Sequence, residues 1–152
     1  MKKIQFLFSI ALVSMMLIAC VTSESELLKQ ARSIQDEVVK SSVSLDSTMG
    51  AKLTVLNSER SEMAMDTTMS ADSIKIQSFM VLKNRIDNLA AIQSELQDWR
   101  SNMKMLPSAK DIDGGAENPF GEKAKDQEIL GAIKKSQEEF NNLKMKADAA
   151  MK

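Results

Sequence analysis

The stretch ADSIKIQSFMVLKNRIDNLAAIQSELQDWRSNMKM, residues 71–105, carries the sharpest repeat in the chain. Leu82, Leu89, Leu96 and Met103 recur every seven residues. Phe79 and Ile86 run beside them as a second apolar row, which Gln93 and Arg100 interrupt. Ile92 and Trp99 lie next to the stripe and widen it. Seven residues are two helical turns, so this spacing predicts one long amphipathic helix over about 71–105 that packs against other helices.

The segments on either side have the same period. Upstream, Leu27, Ala31, Ile34, Val38, Leu45, Met49, Leu53 and Leu56 fall at helical steps, with Ser41 or Ser42 filling a missing place. A capping box at Ser23 and Glu26 starts this helix, which is expected over about 24–62 and fades between Asn57 and Met65. Gly50, inside the pattern, costs about 1 kcal/mol against Ala and marks a bend or a close helix contact. Asp66 to Ser70 holds cap and turn residues and reads as a connection. Downstream, both prolines and three of the five glycines gather between Pro107 and Gly121, which places the one long loop over 106–122. Ile129, Ile133, Ser136, Phe140, Leu143, Ala147 and Ala150 then alternate steps of four and three, giving a third helix over about 123–150.

Aromatics are 4% of the chain, too few for a typical β-sandwich of this length. Each helix is apolar on one face only, and none is stable alone in water. The expected fold is therefore all-α, an elongated antiparallel three-helix bundle; self-association, as a coiled coil with one long helix from each chain, is the alternative way to cover the stripes.

Residues 1–19 read as an export signal. Lys2 and Lys3 precede an apolar run from Ile4 to Ile18, too short for a comfortable membrane span. Leu17-Ile18-Ala19-Cys20 resembles the lipobox of bacterial lipoproteins, with Leu17 and Ala19 as the recognition residues. That resemblance implies cleavage before Cys20, diacylglycerol on its thiol and acylation of the new amine, often by palmitate. Three chains of about 16 carbons, at ~0.8 kcal/mol per buried CH₂, make an effectively permanent anchor. Cys20 is the only cysteine, so no internal disulfide exists. Val21 stands where an Asp would imply retention in the inner membrane, and the resemblance implies the outer membrane, facing periplasm or cell surface. The acidic Ser23-Glu24-Ser25-Glu26 stretch is similar to signals that send some lipoproteins to the surface.

Loss of Lys2 and Lys3 with the leader leaves 18 basic against 21 acidic side chains in residues 20–152, a net charge of −3. Without a basic cluster the chain lacks the means to displace counterions from nucleic acid. It has no His and no Tyr, so the usual acid–base groups are missing, and no cofactor motif is present. These features point to a non-catalytic envelope lipoprotein with a protein or cell-wall partner.

Three local features suggest other chemistry. Met63, Met65 and Met69 form a thioether cluster, a donor type that selects Cu(I), although Met also serves as flexible core filler. Asp111-Ile112-Asp113-Gly114 is similar to the start of a calcium loop, but positions 5 and 6 are Gly115 and Ala116 and depart from that pattern. Lys152, with Cys20 at the other end, resembles the murein lipoprotein, whose terminal lysine is joined to peptidoglycan.

A broader resemblance covers most of residues 24–150. Asp36-Glu37-Val38, Leu45-Asp46-Ser47, Leu96-Gln97-Asp98-Trp99-Arg100 and Pro107 are similar to segments of small helical lipoproteins of gram-negative bacteria labelled "viral A-type inclusion protein". It implies a helical bundle and an envelope address, and no reaction.

Overall fold

The computed structural model describes residues 24–66, 72–108, 111, 115, 117–121 and 123–152. These residues form three helices and no strand: α1, Glu26–Met65; α2, Ser73–Asn102; and α3, Asp126–Met151. Every pair of helices packs together, giving an all-α three-helix bundle.

Three contacts fix the direction of α1 and α2. Gln35 meets Leu106, Asp46 meets Gln93, and Asp66 meets Lys75. As one number rises the other falls, so the helices are antiparallel. α3 starts beside Ala31, with Ile129, Leu130 and Ile133, and ends beside Thr48 and Asn88, with Met151 and Ala150. It therefore runs parallel to α1 and stops short of the connected ends of α1 and α2. At ~1.5 Å per residue, the 40 residues of α1 extend about 60 Å.

The core is a narrow stripe, as the periodicity requires. Met49, Leu56, Leu89 and Leu96 are sealed from solvent, and Leu82, Ile86, Ile92, Phe140, Leu143 and Ala147 join them. A smaller cluster of Ala31, Leu106, Ile129, Leu130 and Ile133 closes the lower end. Leu27, expected in the stripe, is 37% exposed, and its neighbour Leu28 packs against this lower cluster instead.

The helix ends differ from the sequence expectation for local reasons. The α1 cap is Ser25, whose hydroxyl accepts the Leu28 N–H at 3.2 Å. Ser23 lies outside the described residues. The helix does not fade at Asn57 but continues to Met65, where Met63 still packs on the core. α2 begins at Ser73 because the Asp72 carboxylate accepts the N–H groups of Ile74 and Lys75. It stops at Asn102, three residues before the expected end. Met103 is already extended, so it is not the fourth rung of the Leu82–Leu89–Leu96 ladder. Pro107 disfavours helical backbone at Leu106, and the chain turns inward there instead. α3 starts at Asp126, later than expected, where the Glu128 carboxylate accepts the Lys125 N–H at 3.2 Å. Gly121 holds a φ of +98° in the preceding turn, a conformation suited to glycine.

Candidate functional site

Two polar features and one recess concentrate the side chains that packing alone does not explain. The first feature is a clamp at the lower end. Gln35 is buried on α1, and its Oε1 accepts the Leu106 N–H at 2.7 Å while its Nε2 donates to the Leu106 carbonyl at 3.4 Å. Arg32, one turn earlier, donates to the Pro107 carbonyl and pairs with Glu24. The backbone of 106–107 has left α2 and lost its helical partners. These two side chains replace them, which lets Leu106 enter the core without stranding its own amide.

The second feature lies mid-bundle and explains the gaps in the apolar pattern. Gln93 Nε2 donates to Asp46 Oδ1 at 2.7 Å, and Arg100 Nη1 approaches Asp46 Oδ2 at 3.3 Å. Arg100 Nη2 also donates to the Ser42 carbonyl at 3.0 Å. Ser42 is the buried one of the two serines; its hydroxyl donates to the Val39 carbonyl at 2.8 Å. The interruption at Gln93 and Arg100 on α2 therefore faces the interruption at Ser42 on α1. Gly50 lies against the same group: a Cβ there would sit 3.8 Å from Gln93 Nε2, an ordinary contact.

The recess lies between the end of α2, the segment after it and α3. Trp99, Met103, Phe120 and Ile133 wall a space of about 280 Å³, with Lys104, Lys135 and Glu139 on its rim. Trp99 is half-buried and packs on Phe140 with ring centroids 5.4 Å apart. Lys104 Nζ lies 5.9 Å from the centre of the Phe120 ring. Among the described residues, Trp99 Nε1 and Arg100 Nε are buried and find no hydrogen-bond partner. This arrangement can hold an apolar group beside a charged one, and no side chain in it is set up as a nucleophile with its base.

The residues singled out in the sequence do not converge. Leu17, Ala19 and Cys20 lie outside the described residues, as do Met69 and Asp113. Met63 turns toward the core while Met65 is 80% exposed, because residues two apart on a helix point nearly opposite ways. Asp111 closes a local turn, its Oδ2 accepting the Ser108 hydroxyl at 2.6 Å. Lys152 is exposed just past α3. Trp99 belongs largely to the α2–α3 packing and forms one wall of the recess. The Gln35–Leu106 clamp was missed in the sequence, where the one available signal was an isolated leucine before a proline.

Among the described residues no group of three or more Asp, Glu, Cys or His side chains is arranged to hold a metal ion. No described helix is long and apolar enough to cross a membrane. No family model matches the chain, and neither a curated protein nor a solved structure matches it.

Proposed function

We propose that this chain is a non-catalytic lipoprotein of the bacterial envelope, anchored in the outer membrane through lipid on Cys20, and that its bundle serves as a structural or protein-interaction module. The lipobox resemblance of Leu17 to Cys20 carries the anchor. What supports it from the fold is the position of the first helix: α1 starts at Glu26, six residues past Cys20, so a short tether separates the lipidation position from a folded rod. A tether of that length places the lower end of the bundle close to the lipid surface.

Growth of a gram-negative host expressing the chain with an alkyne analogue of palmitate tests the anchor. The wild-type chain is expected to take up label and fractionate with the outer membrane. Cys20→Ser is expected to remain unlabelled and to accumulate with its leader attached. Absence of label on the wild-type chain sinks the proposal. Trypsin treatment of intact cells then distinguishes a surface orientation, where the protein is cut, from a periplasmic one, where it survives.

A further inference from the structure

The upper end of the molecule is a two-helix hairpin with an uncovered side. α3 reaches only the level of Thr48 and Asn88, while α1 continues to Met65 and α2 begins at Ser73. Lower down, α3 covers α2 along Ile92 and Trp99. Eighteen residues make five helical turns at ~3.6 residues per turn, so Ile74 and Val81 have the same angular position on α2 as Ile92 and Trp99. They are 74% and 54% exposed, because no described residue lies over them. On α1, Thr48 lines the groove with Met151, and Val55, seven residues on, is 52% exposed. Three apolar side chains thus continue the face that α3 seals below.

The charges on this face are divided along its length. Lys52 and Arg85 lie at its base, next to the end of α3, and Glu59 and Glu62 lie nearer the tip. Among the described residues none of these four forms an ion pair. Lys75 pairs instead with Asp66, across the connected ends of α1 and α2. Two such faces related by a two-fold axis, laid tip over base, put the acidic tip of each copy on the basic base of the other. The apolar residues meet between them.

We propose that the uncovered hairpin face is a self-association surface, and that two copies overlap antiparallel at their tips so that each supplies the helices α3 does not provide. The overlap region becomes a short four-helix bundle. This assembly depends on the shape of the bundle and is independent of lipid on Cys20. It places the two lower ends at opposite extremes of one rod.

Sedimentation velocity of the full chain in detergent tests this. A concentration-dependent dimer is expected. Glu59→Lys with Glu62→Lys sets like charges together in the homodimer, as does Lys52→Glu with Arg85→Glu. Each double variant is expected to weaken association by at least about tenfold while keeping its helical circular dichroism. Mixed in equal amounts, the two variants regain opposite charges at both ends, and a heterodimer of near wild-type strength is expected. Val81→Ser, a change at an exposed site, is expected to weaken the dimer without unfolding the chain. The proposal is overturned by a chain that stays monomeric, by a dimer indifferent to the charge reversals, or by failure of the mixture to associate. It is also overturned if the face is covered only when a different helical protein is added.

Discussion

Replacing Gln35 by alanine should loosen the lower end of the bundle far more than an ordinary polar-to-alanine change on a helix. The side chain makes a 2.7 Å bond from the Leu106 N–H and a 3.4 Å bond to the Leu106 carbonyl, and all three groups are buried. Removing the acceptor strands the buried N–H, which costs about 1–3 kcal/mol in place of the ~1 kcal/mol net value of an ordinary bond, and the longer bond contributes little. Loss of one buried CH₂ adds ~0.8 kcal/mol. The expected destabilisation is therefore about 3 kcal/mol. With a urea slope of roughly 2 kcal/mol per M, the midpoint should fall by about 1.5 M. Gln35→Met keeps most of the volume and removes only the bonding, so it should recover about 1 kcal/mol of the loss. Amide exchange at Leu106 should accelerate in both variants, reporting that the segment has come off α1. A Gln35→Met protein as stable as the wild type, with Leu106 still protected, would refute the claim that the clamp holds this segment.

Three further outcomes follow from the same contacts. Gly50→Ala should stabilise the chain by about 0.5–1 kcal/mol in urea unfolding, since the added Cβ meets only ordinary contact and the helix gains propensity. A double-mutant cycle with Asp46→Ala and Arg100→Ala should give a coupling of about 0.5–1 kcal/mol, the range for a partly exposed pair, with Arg100→Ala alone costing more than that because it also abandons the Ser42 carbonyl. The hydrogen bond from Lys75 to Asp66 raises the Lys75 amine above its ordinary 10.5, so its contribution is complete below that pH and is lost as pH rises through the folded-state value. Asp66→Asn should accordingly differ from wild type at neutral pH and converge on it in strong alkali, as read by urea midpoints.

The three helices were legible because each buries one face, and a buried face leaves a period in the sequence that needs no partner to be seen. Leu82, Leu89 and Leu96 lie in the core where their spacing put them, as do Ile129, Ile133, Phe140 and Leu143. Gln93, Arg100 and Ser42 were visible as defects in their own stripes. That they answer one another was not, because the match depends on the register between α1 and α2, which neither stripe encodes alone. Leu106 was illegible for a different reason: one buried residue in an extended segment has no period. The α2 end was set too late because Met103 continues the heptad while the competing constraint lies four residues on, at Pro107. At the start of α1 the capping-box signature marks Ser23, with Glu26 three residues on, whereas the cap that forms is Ser25, whose partner three residues on is Leu28 and carries no such signature. The recess beside Trp99 combines α2, the loop and α3, so it exists only once all three are assembled.

Trp99 is the only tryptophan, and the chain has no tyrosine. Ultraviolet emission therefore comes almost wholly from one indole, held against Phe140 at the α2–α3 contact. The molecule carries its own optical reporter, but the reporter views one half of the rod. Separation of α3 from α2 changes its surroundings, whereas fraying of the hairpin above Asn88 is dark to it and appears only in the far-ultraviolet signal of the helical backbone. A melt followed both ways is thus a measure of position along the rod: coincident curves mean that the tip and the three-helix body unfold as one unit, and an early loss of ellipticity at constant emission means that the tip opens first.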